Sequence, residues 1–170
     1  MKWLGAIILI STTTWFGFDM SKKLRERTTQ IRTVIQSLQI LEAEMSYSYS
    51  SLKQIFQKIS RKIDSPVDRL YRNLAERLNE VVSDFVKIWD EELERFTKRS
   101  ALKTSDVEIL TQFGRNLGQH TLREQQKHIQ LTLHYLQRQL DEAEELKKRY
   151  ETMMKSLGVL IGLFIVIILF

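Results

Sequence analysis

The chain has 170 residues, a formal net charge of +5, one proline, six glycines and no cysteine. The absence of cysteine excludes disulfides and cysteine-ligated zinc or iron–sulfur centres. The length suffices for one domain with its own core, and the scarcity of helix breakers beside abundant Leu, Gln, Glu, Lys and Arg favours long helices.

The charges are confined to the middle of the chain. Every acidic residue lies between Asp19 and Glu151, and Lys2 is the only basic residue outside 19–155, which leaves 25 basic against 21 acidic residues in that region. The two signs are interspersed, as on the solvated faces of long helices. This mild excess of basic residues suits a nearby anionic membrane surface and does not call for nucleic acid, so we expect no nucleic-acid partner.

The first twenty residues are strongly apolar. Residues 3–18 carry no charge, and Trp3 and Trp15 flank the aliphatic run, where interfacial aromatic residues are expected. We predict an N-terminal transmembrane segment over 1–20, although it is short against the roughly 20 apolar residues that a span needs. A cleaved signal peptide is the alternative, because one lysine precedes the apolar run; the lack of an Ala-x-Ala-like site favours a retained anchor.

The chain ends in a second apolar segment. Residues 157–170 are uncharged, and Met153 and Met154 lengthen the segment if Lys155 reaches back towards the headgroups. We predict a C-terminal transmembrane segment over 154–170. Gly158 and Gly162, four residues apart, place two small residues on one helix face and are candidates for helix packing in the membrane.

The flanks of both segments predict their orientation. Basic residues cluster just inside each apolar end, at 22–32 and 147–155, whereas the outer ends carry only Lys2 and the amino terminus. By the positive-inside rule, the domain over 21–153 is cytoplasmic and both termini lie across the membrane. The two segments then form a hairpin with the domain as its loop.

Hydrophobic spacing and turn signals divide the first half of the domain. Apolar residues at spacings of three, four and seven predict an amphipathic helix over 21–47. The polar stretch 46–51 is typical of a turn or of the cap of a second helix, which is expected to end near Ile63. Next comes a break, with Ser65 as a predicted N-cap, Pro66 at the first helical position and Asp68 in the first turn.

The second half of the domain carries further start signals. A helical pattern from Leu70 to Phe96 is compatible with one helix or with two that meet near Asn79. Two capping boxes, Ser105 with Glu108 and Thr121 with Glu124, predict two more helix starts. Gly118 precedes the second box, where a helix C-terminus favours glycine.

A heptad-like seam of apolar residues marks the last helix: Ile129, Leu133, Leu136, Leu140 and Ala143 recur at spacings of four and three. It is expected to run without a break into the C-terminal apolar segment and to hold the bundle through Leu133, Leu136 and Leu140. No strand pattern is present. The predicted fold class is therefore all-α, a bundle of roughly six helices flanked by N- and C-terminal transmembrane helices.

The sequence shows no pattern of catalytic residues. The three histidines lack metal-ligand spacing, and phosphate-binding glycine loops and nucleophile motifs are missing. The acidic groups at 42–44 and 90–94, including Glu44, are interpreted as solvated helix faces, and Trp89 as a core anchor or else a partner contact. We predict no catalytic residue, cofactor or metal, and a protein that is not an enzyme.

Several blocks resemble the stage III sporulation protein AB family of endospore-forming Firmicutes. The matching positions run along the chain: residues 41–45, Tyr47, Leu52, Trp89, Leu102, Ser105, Asp106, Glu108, Leu110, Phe113, Gly114, Leu117, Gly118, Gln126, Lys127, residues 157–160, Gly162 and Leu163. Two local caps depart from the family pattern, at Ser50-Ser51 and at Gln119-His120-Thr121. From this resemblance, Glu44, Trp89, Asp106 and Gly118 join Gly158 and Gly162 as candidates for protein interaction or packing.

The resemblance implies a role in the channel between mother cell and forespore. Its subunit is thought to be similar to the cytoplasmic domain of the platform protein of type II secretion and type IV pilus machines, which is a six-helix bundle. The implied partners are a cytoplasmic secretion-type ATPase, the other membrane subunits of the channel and the lipid bilayer, with a homo-oligomer as a further possibility. The implied location is the mother-cell membrane around the forespore.

Two other classes of protein remain as alternatives. One is a membrane-anchored signalling or structural protein that self-associates as a coiled coil through its last helix. The other is an exported helical enzyme or lysin with a cleaved signal peptide.

Overall fold

We analysed the protein as a computed structural model. The structure describes the backbone of residues 2–48, 50–78, 85–117 and 122–169, and the side chains of 21–48, 50–78, 85–117, 123–154 and 157. Within these residues the protein is all-α, without strands, and has six helices: α1 Lys2–Tyr47, α2 Leu52–Lys62, α3 Val67–Arg77, α4 Phe85–Thr97, α5 Thr104–Asn116 and α6 Leu122–Leu169. The predicted all-α class and helix number are confirmed.

The first turn region is built as its polar residues indicate. Helix α1 ends at Tyr47, and Ser51 caps α2: its hydroxyl accepts the Gln54 N–H at 3.4 Å, while the Gln54 side chain accepts the Ser51 N–H at 3.1 Å. This reciprocal pair satisfies two N–H groups that the first turn of a helix would otherwise leave without partners. Of the two alternatives for 46–51, a turn or the cap of a second helix, the cap is confirmed at Ser51.

Two predicted N-caps are wrong, by one position for α3 and by two for α5. Helix α3 begins at Val67 with Pro66 as its N-cap and no side-chain cap, so Ser65 does not cap it; Asp68 does lie in the first turn. Helix α5 begins at Thr104, and Asp106 rather than Ser105 provides the cap, accepting the Lys103 N–H at 2.8 Å. The Thr121 box falls on residues outside those described.

The helical region between Leu70 and Phe96 is two helices. Helix α3 ends at Arg77 and α4 begins at Phe85, with residues 79–84 outside those described. Helix α6, in contrast, runs without interruption from Leu122 to Leu169, as expected from the absence of a breaker. Helix α1 is likewise continuous from Lys2.

The helices enclose one apolar core. Helix α1 packs on α6, α2 and α3, and the contacts continue from α3 to α4, α4 to α5 and α5 to α6. The core is filled from every helix, with the largest fully buried side chains including Trp89, Tyr71 and Phe56. In α6 the seam is buried from Ile129 to Ala143, whereas Leu133 is only partly buried and Leu157 is 49% exposed.

Helices α1 and α6 are antiparallel. Gln126 donates to Ser46 at 2.9 Å, Gln130 donates to Glu42 at 2.6 Å, and Arg32 donates to Glu144 at 2.5 Å, so residue numbers fall along α1 as they rise along α6. The start of α1 and the end of α6 therefore leave the bundle at the same end. These are the two apolar segments of the sequence.

Within the described residues, none of the helices combines the length and the hydrophobicity that a membrane span requires.

Candidate functional site

Trp89 lies at the centre of the core, where α4 meets α5. Its side chain is fully buried, and its indole Nε1 donates to the backbone carbonyl of Leu110 at 3.0 Å. The ring packs edge-on against Phe113, with centroids 5.5 Å apart. The hydrogen bond satisfies the one polar group of the indole, which burial would otherwise leave without a partner. Trp89 thus joins two helices and offers no surface to a partner.

Gly114 makes this approach of α4 and α5 possible. A Cβ atom added there would lie 2.1 Å from Cδ1 of the Trp89 ring, a distance that real Cβ contacts do not reach. The Phe113-Gly114 pair matched by the family pattern is therefore a packing requirement, because the indole occupies the space of a side chain at residue 114.

Asp106 takes part in a buried ion pair between α1 and α5. The Arg27 guanidinium donates to both carboxylate oxygens, from Nε at 2.9 Å and from Nη2 at 2.9 Å, and both side chains are at most 3% exposed. Arg27 Nη2 also donates to Oε1 of Gln139 in α6 at 3.0 Å. Such a bidentate pair fixes orientation as well as distance, so these contacts lock three helices together.

The surrounding contacts extend this junction to the loop between α4 and α5. The Ala101 N–H donates to the Gln30 side chain at 2.8 Å, and Ser105 donates to Gln139 at 3.2 Å. Glu142 lies within 3.9 Å of Arg27 and accepts from Lys103 at 3.4 Å. The junction therefore lies towards the end of the bundle from which the apolar segments leave.

Arg27 was not among the residues predicted from sequence. It stands four residues before Ile31 and seven before Val34, on the stripe of α1 that faces the core. A cation at an apolar position of an amphipathic helix is a signal for a buried partner. The identity of that partner, 79 residues away, is not encoded in the local pattern.

Glu44 ties the end of α1 to α2. Its carboxylate accepts from Nζ of Lys58 at 2.6 Å. The hydrogen bond from Lys58 lowers the pKa of Glu44 below its ordinary value. Glu44 thus forms an ion pair that joins α1 to α2.

The interpretation of the acidic stretch in α4 as a solvated face is wrong for Glu92. Its side chain is 1% exposed and accepts from Arg77 Nη1 and Arg95 Nη1, each at 2.8 Å, and from Asn73 at 3.0 Å. Its neighbour Glu91 accepts from Nη2 of Arg77, which lowers the pKa of that carboxyl. This cluster ties α3 to α4. Its burial depends on the packing of the two helices, not on the spacing of charges within α4.

The remaining candidate residues lie beyond the described side chains. Gly118 is outside the described residues altogether. Gly158 and Gly162 lie on the described backbone of α6, but the surroundings of their side-chain positions are not described. Among the residues that are described, no group of three or more His, Asp or Glu side chains is arranged to hold a metal ion.

The comparisons with known proteins all point to one family. The family model described as stage III sporulation protein AB matches residues 2–170. The stage III sporulation protein AB of Bacillus subtilis (strain 168) is 37% identical over 169 residues, covering 99% of each chain. A solved structure of a stage III sporulation protein AB (SpoIIIAB) is 34% identical, covers 73% of this chain and 98% of that one, and superposes with a TM-score of 0.69.

The range that the family model matches spans both structural junctions, the Arg27–Asp106 pair and the Trp89–Gly114 contact. The chain belongs to the stage III sporulation protein AB family.

Proposed function

We propose that this protein is a non-enzymatic membrane platform subunit of a secretion-like channel complex between mother cell and forespore, required for sporulation. The observation that carries the proposal is the antiparallel pairing of α1 and α6. Because of it, both apolar ends emerge from the same end of a compact bundle, as an anchored cytoplasmic domain requires.

In this proposal residues 1–20 and 154–170 are transmembrane helices in the mother-cell membrane around the forespore, and 21–153 is cytoplasmic. The basic residues at 22–25 and 147–149 lie where each helix leaves the bundle, which supports this orientation by the positive-inside rule. Each helix is unbroken through that point. A continuous helix can transmit a tilt or rotation from the domain to its membrane segment.

The partners in this proposal are a cytoplasmic secretion-type ATPase, the other membrane subunits of the channel and the bilayer itself. The buried junction of Arg27, Asp106 and Gln139 supports a mechanical role, since it couples α1, α5 and α6 close to the membrane end. A force on the loop before α5 would reach both membrane helices through these contacts.

The main sequence evidence for the coiled-coil alternative was the apolar seam of α6. The seam residues Ile129, Leu136, Leu140 and Ala143 are buried in the bundle of a single chain, so they are not offered to a second copy. Any homo-oligomer would need a different surface or the membrane segments.

Topology is the test of this proposal. The natural chain has no cysteine, so single-cysteine variants give unambiguous labelling. In intact non-sporulating cells that express the full chain in the plasma membrane, a membrane-impermeant maleimide should label Lys2→Cys and Phe170→Cys but not Arg138→Cys. Inside-out vesicles should reverse this pattern. Labelling of Arg138→Cys in intact cells would exclude a cytoplasmic domain.

Variants of Gly158 and Gly162 test whether the last segment contacts the other membrane subunits. Gly158→Leu combined with Gly162→Leu should reduce recovery of the other membrane subunits in co-purification, because bulky side chains block close helix approach. Leu163→Ile, in the same segment, is the control and should leave recovery unchanged. If the double variant and the control recover the partners equally, the two glycines are not part of the interface.

A further inference from the structure

A groove between α3 and α4 carries an unusual concentration of positive charge. It has a volume of about 470 Å³, and its floor is formed by Pro66, Leu70 and Phe96. Five cationic side chains line it, against the single carboxylate of Glu92: Arg69, Arg72, Arg95, Lys98 and Arg99.

Three of these cations already have carboxylates beside them. Arg72 pairs with Asp68 at 2.6 Å, Arg95 with Glu92 at 2.8 Å, and Lys98 with Glu94 at 2.7 Å. Glu92 cannot serve further cations, since it also accepts from Arg77 and Asn73.

The other two cations have no such neighbour among the described residues. Arg69 and Arg99 are exposed, and no carboxylate within the described part of the chain lies in ion-pair distance of either. They contribute one guanidinium from α3 and one from the turn after α4 to the same groove. A guanidinium presents a planar fork of N–H donors that matches a carboxylate, so the two together favour a ligand with two acidic groups.

We propose that this groove binds an acidic segment of a partner protein, with carboxylates on Arg69 and Arg99 and an apolar side chain over Leu70 and Phe96. The proposal deepens the proposed function, because it specifies the chemistry of one partner of the domain.

The apolar lining of the groove favours a protein over a lipid headgroup. Leu70 and Phe96 line it beside the cations, where a headgroup would offer them no apolar group. An apolar floor between cations also suits a peptide in which an apolar residue separates two acidic ones, since the concave wall removes that residue from water.

The test uses the full chain in a neutral detergent and a fluorescein-labelled peptide of alternating glutamate and leucine, followed by fluorescence anisotropy. Arg69→Glu combined with Arg99→Glu should weaken binding by about tenfold or more, because each attraction becomes a repulsion. The matched control is Arg123→Glu with Arg138→Glu, two exposed arginines of α6 outside the groove. It changes the net charge equally and should alter binding by no more than about threefold, since distant charges act only through the screened field.

A charge-reversed peptide sharpens the result. The Arg69→Glu/Arg99→Glu protein should bind an alternating lysine–leucine peptide more tightly than the wild type does. An alternating glutamine–leucine peptide should bind neither protein in an arginine-dependent way.

Four results would overturn the proposal. They are no saturable binding of the glutamate–leucine peptide, equal loss in the groove variant and its control, equal binding of the glutamine–leucine peptide, or capture of short-chain phosphatidylglycerol through Arg69 and Arg99 without peptide binding. Topology labelling does not depend on the groove, so failure here is distinguishable from failure of the platform proposal.

Discussion

Gly114 shows how one missing side chain positions two helices. The Trp89 indole lies where a Cβ atom of residue 114 would be, and its own Nε1 is held by the Leu110 carbonyl one turn away. The tryptophan and the glycine are both visible in the sequence, 25 positions apart. Their contact is not visible there, because it depends on how α4 and α5 cross.

We predict that Gly114→Ala destabilises the protein. Alanine improves helix propensity by roughly 0.5–1 kcal/mol. Its Cβ would, however, lie 2.1 Å from an atom of the buried Trp89 ring, and overpacking of this kind costs more, about 1–3 kcal/mol. Denaturant unfolding should show a net loss of unfolding free energy. Gln112→Ala, an exposed change in the same helix, should show none; equal stability of the two variants would contradict the packing role of Gly114.

Tyr71 is a buried phenol that responds to alkaline pH. Burial raises its pKa to about 12, partly opposed by the hydrogen bond with Ser37 at 2.8 Å. The unfolded chain has a pKa near 10. Stability from the neutral phenol is therefore fully present below pH 10 and is lost as the pH rises towards 12, because the unfolded state releases its proton first.

Between pH 9 and 12, the free energy of unfolding of Tyr71→Phe should fall by roughly 2–3 kcal/mol less than that of the wild type. The figure follows from about 1.4 kcal/mol for each unit of pKa difference. At neutral pH the variant should be slightly less stable, since Ser37 loses its side-chain partner. The control is Tyr135→Phe, because Tyr135 is 45% exposed. If both variants show the wild-type pH dependence of unfolding free energy, the buried phenol does not contribute to it.

At the scale of elements, α1, α5 and α6 are joined by charge as well as by apolar contact. Arg27 and Asp106 are nearly inaccessible to solvent, while the neighbouring Arg32–Glu144 pair is 64% and 46% exposed. A buried ion pair contributes little net stability against apolar residues of the same size, but the loss of one partner leaves a charge in the core. The junction therefore specifies how the helices fit together.

Asp106→Ala should lower the free energy of unfolding by about 3–5 kcal/mol, because it leaves the Arg27 guanidinium buried without its carboxylate. The double variant Arg27→Met/Asp106→Leu should recover most of that loss. Glu144→Ala, which removes an exposed pair, should cost no more than about 1 kcal/mol. A double variant as unstable as Asp106→Ala would show that the charges themselves hold the junction.

Element boundaries were predictable where local chemistry alone sets them. The end of α1 at Tyr47 and the cap of α2 depend on polar residues within one short turn. The start of α5 was predicted at Ser105, but Asp106 caps it while also binding Arg27. A side chain that serves both a helix terminus and a distant helix cannot be assigned from the terminus alone.

For the molecule as a whole, the continuity of α6 is the feature on which the proposed platform role depends. The helix is buried in the bundle as far as Ala143 and continues as helix to Leu169. Glu151 is exposed beyond the buried seam, so a change there tests the connection without disturbing the core.

Glu151→Pro should reduce heat-resistant spores sharply in a strain that depends on this copy of the protein. Proline removes a helix hydrogen bond and clashes with the preceding turn, at a cost of about 3 kcal/mol or more, which kinks the link to the apolar segment. Glu151→Ala keeps the helix and loses only the 4.0 Å contact with Lys147, so it should sporulate normally. Normal sporulation by the proline variant, at equal protein level, would show that a rigid link is not needed.

By itself, the sequence determined the all-α class, the number of helices, the unbroken last helix and the two apolar ends, since each follows from residues close together in the chain. Only the tertiary structure decided that Arg27 meets Asp106, that Gly114 accommodates Trp89, and that Glu92 is buried while Glu91 and Glu94 are not. These contacts join residues of different helices, and the relative placement of the helices is set by the packing of the whole core. The same placement forms the cationic groove of α3 and α4 from residues that are separately unremarkable.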